Sequence, residues 1–172
     1  PIGYFNYPEI VYGFSFGGDW KGFDLSVLFQ GTAHVSLQYS RYFTRGFAED
    51  FSAPKSLLNS WSQERYNQGL PIDFPHLSEG DTYQKHNYQN STFWTRDASY
   101  LRLKNVEIGY TFSSDWLKKL HMSSVRVFVN GNNLITWSDM FQGVDPETAQ
   151  QTTNYEPYPI TKIYNVGVNI KF

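Results

Sequence analysis

The residues whose side chains could catalyse a reaction or bind a metal are few and scattered. The chain has no cysteine, and its four histidines, at positions 34, 76, 86 and 121, lack the spacing of metal ligands. Asp145 and Glu147 flank Pro146, and this short carboxylate pair is more typical of a turn than of acid–base catalysis. No glycine-rich phosphate loop precedes a predicted helix. These residues predict a protein that is not an enzyme and that uses no cofactor or metal.

Aromatic side chains are better candidates for binding. They form 19% of the chain although the mean hydropathy is −0.49, so many rings lie among polar residues. Such rings could stack on sugars or hold peptide side chains, or they could instead pack a loop against itself. The candidates for contact with a ligand or a covering partner are Trp61, Tyr83, Tyr88, Phe93 and Trp94. The net charge of −2, with scattered basic residues, predicts no nucleic-acid partner.

Period-two alternation indicates the strands that would position these residues. In the segment 162–172 apolar and polar side chains alternate, so one face of an extended strand is apolar and the other polar. The apolar face consists of Tyr164, Val166, Val168, Ile170 and Phe172. A soluble sheet would turn that face toward a core, whereas a membrane barrel would turn it toward lipid.

Four further strands are predicted upstream, at residues 10–16, 23–30, 99–112 and 125–137. The first two form a hairpin around the turn residues Gly17–Gly22. In the third strand the apolar phase slips at Lys104-Asn105, which predicts a β-bulge.

The lengths of the connections favour the membrane alternative. They alternate short, long, short, long, at about residues 17–22, 32–97, 113–124 and 138–159. Outer-membrane barrels have short periplasmic turns and long extracellular loops. No apolar run approaches the ~20 residues that a membrane-spanning helix needs. Because five antiparallel strands cannot close a barrel, the pattern predicts an arc of a larger one.

One short helix is predicted inside the first long connection. Ser52-Ala53-Pro54 is typical of a helix start, and Gly69 is a plausible stop. Leu57, Leu58 and Trp61 would then share one face of that helix.

Several segments resemble the SusC/RagA family of TonB-dependent outer-membrane transporters. Residues 100–110 (YLRLKNVEIGY) and 125–134 (VRVFVNGNNL) are similar to two strand motifs of that family. Further resemblances, in chain order, are Tyr12-Gly13-Phe14-Ser15, residues 23–31, the Trp61 helix, Asp145-Pro146-Glu147, Tyr158-Pro159 and the terminal aromatic strand. The ordered set covers nearly the whole chain and is more specific than any single motif.

The resemblance implies an all-β fold: an antiparallel transmembrane β-barrel segment, about five C-terminal strands of a barrel of about 22 strands, with long extracellular loops. Residues 1–172 would be the C-terminal portion of the barrel. The chain begins at Pro1, without an initiator Met or a signal peptide, so it is either a processed product or a piece of something longer. The resemblance favours the piece, and it implies that the plug and the first strands are not in this chain.

The resemblance also implies function and partners. The transporter would import oligosaccharides or oligopeptides beneath a SusD-like surface lipoprotein, and TonB would act through the plug, which is not in this chain. The lipid bilayer would surround the barrel. The strand bearing Tyr164, Val166, Val168, Ile170 and Phe172 would be the signal read by the barrel-assembly machinery, because an unpaired strand edge can add to another sheet.

Two groups of strand residues are assigned by position. Aromatic residues near strand ends are expected to form an interfacial girdle: Trp20, Tyr100, Trp116 and Trp137. Polar residues of the other phase are expected to face the lumen: Asp24, Arg126, Asn130, Asn132 and Lys171. The alternative reading of the whole chain is a soluble or surface-attached β-sandwich that binds glycans through its aromatic residues and closes its apolar faces into a core.

Overall fold

The computed structural model describes residues 2–39, 55–77, 87, 89, 91–113, 117, 119–140, 144–149 and 160–172. The chain divides into two compact units. The sheet unit comprises Pro8–Ala33, Ser99–Ser138 and Ile160–Phe172, and the loop unit comprises Pro1–Tyr7, His34–Ala98 and Asp139–Pro159. Among the described residues, no helix has the length and apolar character needed to cross a membrane.

Strands dominate the described residues. Numbered along the chain, they are β1 (Ile10–Trp20), β2 (Phe23–Ala33), β3 (Ser36–Gln38), β4 (Thr95–Asp97), β5 (Tyr100–Phe112), β6 (Ser124–Ser138) and β7 (Ile163–Lys171). The helical segments are a 3₁₀ helix (Lys55–Asn59), α1 (Gln63–Asn67) and α2 (Pro146–Ala149).

The sheet unit is a five-stranded antiparallel sheet in the order β1-β2-β5-β6-β7. Each strand pairs with the next strand of the unit along the chain, as expected for an up-and-down meander. The prediction of an all-β fold with five antiparallel strands is confirmed. The hairpin turn between β1 and β2 is shorter than predicted, because Gly17–Trp20 continue β1 and only Lys21 and Gly22 turn. Both turn residues have positive φ, as the type I′ turn of a two-residue hairpin requires.

The bulge in β5 brings its apolar side chains onto one face. Leu28 of β2 pairs with Asn105, while its neighbour Phe29 pairs with Leu103, so Lys104 is an extra residue without a β2 partner. This confirms the predicted bulge. Because one residue is inserted, Leu101 and Leu103 return to the face that Val106 occupies on the other side of the bulge.

One face of the sheet is apolar across all five strands. A representative register row runs Gly18–Leu25–Ile108–Val129–Val166. These apolar side chains are exposed, with Val166 at 76%. A β-sandwich would bury this face in a core. Because these side chains are exposed rather than buried, the face agrees with the arc of a barrel and not with a sandwich.

The long connections leave the sheet from a single end. Ala33, where β2 ends, pairs with Ile10 at the start of β1, and Tyr100, where β5 starts, pairs with Ser138 at the end of β6. The Lys21-Gly22 turn lies at the opposite end. The sheet therefore has the short-turn end and the long-loop end that the sequence predicts.

The loop unit has its own small core. The buried side chains of Tyr39, Leu57, Phe74 and Trp94 pack together. β3 ends just before Tyr39 and β4 begins just after Trp94. The two strands pair antiparallel, with Leu37 opposite Arg96.

The predicted single helix in this unit is wrong. Ser60 forms a parallel bridge with Phe74, and this bridge separates the 3₁₀ helix from α1. Ser62 then starts α1 as an extended N-cap whose side chain accepts a hydrogen bond from the Arg65 N–H. Leu57 is buried while Leu58 is 69% exposed, so the two do not share a buried face. The predicted start at Ser52–Pro54 lies outside the described residues.

Candidate functional site

An ion-pair cluster lies on the polar face of the sheet. Arg126 of β6 binds the Asp24 carboxylate of β2, with Nε 3.0 Å from Oδ2, and its Nη2 donates to Glu107 Oε1 of β5 at 2.7 Å. The Arg126 guanidinium also lies 4.9 Å from the centroid of the Phe128 ring. The three charged side chains are each about one quarter exposed. One cation therefore holds two carboxylates on two different strands.

Gly109 allows this cluster to form. Asp24 and Arg126 lie on β2 and β6, the strands on either side of β5, and Gly109 is directly opposite Asp24. A Cβ at Gly109 would lie 2.6 Å from both Arg126 Nε and Nη2, and would also collide with the Asp24 carboxylate. The missing side chain therefore lets the ion pair cross the intervening strand.

A second strand glycine is also covered by a side chain of a neighbouring strand. The Phe128 ring covers Gly167 of β7, where a Cβ would lie 2.7 Å from the ring atom Cε1. An aromatic ring over a strand glycine restores cross-strand contact that the glycine lacks.

Amides extend the hydrogen-bond network to β7. Asn130 Nδ2 donates to Glu107 Oε2 at 3.2 Å, and Asn165 Nδ2 donates to Asn130 Oδ1 at 2.8 Å. A separate pair joins Asn105 Nδ2 to Asn132 Oδ1 at 2.9 Å. The network therefore runs from β2 through β5 and β6 to β7 and stabilises the register of these four strands.

The arrangement is an ion-pair cluster supported by amide hydrogen bonds. Within the described ranges no group of three or more His, Cys, Asp or Glu side chains could hold a metal ion. Asp24 and Glu107 are held by the Arg126 guanidinium rather than presented as a free acid–base pair. The face carries amide and charged side chains that can form hydrogen bonds with polar groups.

Sequence analysis predicted three residues of this cluster and missed two. It placed Asp24, Arg126 and Asn130 on the lumen side, and the structure brings them together. It predicted Asn132 and Lys171 there as well; Asn132 bonds to Asn105. Glu107 and Gly109 were not singled out. Their alternation with Val106 and Ile108 was visible, but the pairing of β5 between β2 and β6 was needed to show that they face Arg126.

The predicted ligand-contact aromatics have different surroundings in the loop unit. Trp61 and Phe93 are each 38% exposed, whereas Trp94 is 2% exposed in the core. The Trp94 indole N–H donates to the Asn87 carbonyl at 2.5 Å, and Phe93 meets Trp94 edge-on with ring centroids 4.6 Å apart. The centroids of the Trp61 and His76 rings lie 5.6 Å apart. Tyr83 and Tyr88 lie outside the described residues.

The predicted girdle is divided between the two faces. Trp20 and Trp137 are exposed on the apolar face, as an interfacial position requires. Tyr100 is 4% exposed and lies in the opposite phase from Leu101, whose partner is Trp137. Its girdle assignment is therefore wrong, because alternation turns it to the polar face. Trp116 lies outside the described residues.

The residues predicted to signal assembly form one side of the terminal strand. Tyr164, Val166, Val168 and Ile170 lie on the apolar face of β7, and Phe172 follows directly after it. All five are exposed. β7 pairs on one side with β6, and its other edge is unpaired within the described part of the chain.

A five-stranded meander with an exposed apolar face, a hydrogen-bonded polar face and all long connections at one end has the features of an outer-membrane β-barrel wall. Comparison with known proteins agrees. The chain is 29% identical to TonB-dependent receptor P3 of Formosa agariphila over 96% of its own length. It is 26% identical to TonB-dependent receptor P26 of the same organism, also over 96%. No protein-family model matches the chain.

Solved structures give the same relationship. The chain aligns over 97% of its length with the RagAB peptide transporter, with a TM-score of 0.68 and 27% identity. It aligns over 96% with the RagAB peptide importer in its open-open state, with a TM-score of 0.67 and 28% identity. The chain spans about one sixth of the length of the relatives it matches, 16% of the P3 receptor and 17% of the RagAB transporter chain.

These comparisons confirm the resemblance to SusC/RagA-type TonB-dependent receptors, and with it the predicted location in the bacterial outer membrane. The five-stranded sheet of this chain matches part of the RagAB barrel. The relatives described here are receptors and importers rather than enzymes.

Proposed function

We propose that this chain forms part of the wall of a TonB-dependent transporter that imports oligosaccharides or oligopeptides across the outer membrane. The observation that carries the proposal is the two-faced sheet, whose apolar face crosses all five strands while its other face is tied by the Asp24–Arg126–Glu107 cluster. An apolar exterior suits lipid, and a polar interior suits a solute pathway.

The wall's contribution to transport is mechanical and electrostatic. Hydrogen bonds from Asp24 on β2 to Asn165 on β7 hold four strands in register, so the wall keeps its shape when other parts of the protein move. Because Arg126 neutralises part of the carboxylate charge, the face offers hydrogen-bonding groups without a strong field of one sign. Such a surface suits neutral or mixed-charge solutes.

The partners follow from the same proposal. TonB would act through a plug supplied by another part of the polypeptide, and residues 1–172 would be the C-terminal portion of the barrel. A SusD-like surface lipoprotein would cover the long-loop end, an assignment supported by the similarity to the RagAB importer. In the loop unit, the half-exposed rings of Trp61 and Phe93 are the described aromatic candidates for contact with substrate or with that lipoprotein.

Assembly is assigned to the terminal strand. The apolar stripe consists of Tyr164, Val166, Val168, Ile170 and Phe172. Beside it, one edge of β7 has no partner strand within the described residues, so its main chain can bind an added strand by β-augmentation. The barrel-assembly machinery is the proposed reader of this strand.

An uptake experiment tests the function. Cells that lack the gene for the full-length protein, and cells with it restored, are given a defined mixture of oligopeptides and oligosaccharides, and depletion of each solute from the medium is measured by mass spectrometry. We expect one class of solute to be depleted only when the gene is present, and depletion to stop when a protonophore removes the energy source for TonB. Equal depletion of every solute with and without the gene would overturn the proposal.

A further inference from the structure

One methionine joins the two long connections within the loop unit. Met140 follows shortly after β6, which ends at Ser138, and its sulfur accepts a hydrogen bond from the Tyr39 hydroxyl, with the two atoms 3.6 Å apart. Tyr39 belongs to the first long connection and is buried in the aromatic core. Met140 and Val144, from the second long connection, pack against that core. Side-chain contacts therefore hold the described start of the second connection to the first.

The Met140 contact, meaning the Tyr39 hydrogen bond together with the packing of Met140 on the core, suits an unoxidised thioether. A thioether sulfur is apolar and polarisable, packs well against aromatic rings and accepts hydrogen bonds weakly. The core consists of Tyr39, Leu57, Phe74 and Trp94, so most of its surface is aromatic. A polar group in place of the sulfur would fit these surroundings poorly.

Oxidisable sulfur is scarce in this chain. The chain has two methionines, at positions 122 and 140, and no cysteine. Both methionine side chains are partly buried, so small solutes reach part of each, and a peroxide is close to water in size. Met122 belongs to the sheet unit, whereas Met140 belongs to the loop unit and is the methionine whose sulfur contacts the aromatic core.

The end of the sheet from which the long connections leave determines which oxidants can reach them. These connections leave from a single end, and the long loops of outer-membrane barrels face the cell exterior. A peroxide in the medium therefore reaches this end without crossing a membrane.

We propose that Met140 is an oxidation site, and that its conversion to the sulfoxide by hydrogen peroxide breaks the Met140 contact. A sulfur lone pair attacks one peroxide oxygen, and the O–O bond breaks as the S–O bond forms. The proton on the attacked oxygen passes to the departing hydroxide, which leaves as water. The sulfur is oxidised and the peroxide is reduced. A methionine sulfoxide reductase reverses the oxidation.

The sulfoxide breaks the contact because its oxygen is polar and adds volume. Against the rings of the core, this oxygen would lie in apolar surroundings and would need space that close packing does not leave. Because Met140 is only partly buried, its sulfoxide turns toward water instead. The second connection then loses its contact with Tyr39, and the aromatic core loses a side chain that covers it.

The test uses the full-length protein in detergent, with and without hydrogen peroxide. Peptide mass spectrometry measures how much of each methionine has gained an oxygen, and hydrogen exchange is followed at residues 55–77 and 144–149. Met140→Leu keeps an apolar side chain of similar volume that forms no sulfoxide. Met122→Leu is the matched control, and Met140→Gln introduces a polar group without any oxidant.

We expect peroxide to oxidise Met140 and to speed exchange at residues 144–149 roughly tenfold or more, both in the unchanged protein and in Met122→Leu. Met140→Leu should show no such change, and Met140→Gln should exchange faster before peroxide is added. Reduction of the sulfoxide by the reductase should restore slow exchange. Exchange in β5 should stay unchanged and serves as the internal reference.

Equal acceleration in the unchanged protein and in Met140→Leu would overturn the proposal, because another oxidised residue would then be the cause. Full oxidation of Met140 without faster exchange would also overturn it. A third contradiction would be a Met140 that stays unoxidised at peroxide doses that oxidise Met122. Because solute uptake plays no part in this measurement, its result is independent of the transport proposal.

Discussion

Two glycines in the sheet have opposite surroundings. Gly109 lies under the Asp24–Arg126 ion pair, where an added Cβ would collide with both side chains, whereas Gly18 has open space on the apolar face. Neither has the positive φ that would make a side chain strained for backbone reasons. The difference between them is therefore a difference in neighbours, and the same substitution should have opposite effects at the two positions.

Gly109→Ala should destabilise the full-length protein by about 1–3 kcal/mol, the usual cost of forcing atoms into an occupied space. Gly18→Ala should be neutral or stabilising by about 0.5–1 kcal/mol, because alanine loses less backbone entropy than glycine on folding. The measurement is the urea midpoint of unfolding in lipid vesicles, followed by tryptophan fluorescence.

A double-mutant comparison isolates the ion pair as the cause. In an Arg126→Gln background, the side chain that covers position 109 is smaller. Gly109→Ala should therefore lower the free energy of unfolding by less in that background than in the unchanged protein. An equal cost in both backgrounds would show that Gly109 is required for another reason.

At the scale of elements, the loop unit depends on one small aromatic core. Trp94 is buried there with Tyr39, Leu57 and Phe74, while the adjacent Phe93 is 38% exposed. The core is thus made by residues from three separate parts of the chain, which a helix or a hairpin alone could not hold in place.

Trp94→Ala should lower the local stability of the loop unit by about 3–5 kcal/mol, the range for a buried large aromatic side chain. Phe93→Ala should cost clearly less, because that ring is partly exposed. Hydrogen exchange of residues 55–77 and 91–98 in the full-length protein measures both. Similar loss of protection in the two variants would contradict the assignment of Trp94 to the core.

The bulge is a second feature at this scale. Leu103 pairs with Ile135 while Asn105 pairs with Asn132, so two residues of β6, Asn133 and Leu134, lie opposite the single residue Lys104 of β5. Asn133 has φ +54°. Asparagine adopts this left-handed conformation more readily than other residues that have a Cβ.

Asn133→Val should therefore destabilise the protein by about 1–2 kcal/mol, because a β-branched residue fits this conformation poorly. Asn133→Gly is the control and should retain most of the stability, since glycine adopts positive φ freely. The urea midpoints of unfolding of the two variants are compared. Equal midpoints would contradict the claim that the positive φ at position 133 determines which residues fit there.

Alternation along the strands made most of the sheet predictable. The apolar phase gave each strand its face, and the phase slip at Lys104 gave the bulge. The Ser60–Phe74 bridge was not predictable, because it joins residues that a local helical pattern cannot relate. The Asp24–Arg126–Glu107 cluster also depended on strand order, since its members are up to 102 positions apart in sequence.

At the scale of the whole molecule, the chain spans about one sixth of the length of the relatives it matches. β1 and β7 each have one paired neighbour within the described residues. Strand edges of this kind invite pairing, and a barrel satisfies them by continuing around. The central claim is therefore about the two faces: the apolar face meets lipid and the polar face meets water.

Single cysteines along β7 test that claim most directly, because the chain has no cysteine of its own. In the full-length protein in membranes, freed of any other reactive cysteine, Val166, Val168, Asn165 and Asn169 are replaced one at a time and treated with a water-soluble maleimide. The account predicts that cysteines at 165 and 169 react quickly with the maleimide, whereas cysteines at 166 and 168 are protected. When cysteines at 166 and 168 are labelled with a fluorophore in detergent and the protein is returned to membranes, brominated lipid should quench the fluorescence of the label. Equal reactivity at all four positions, or the reverse pattern, would contradict it.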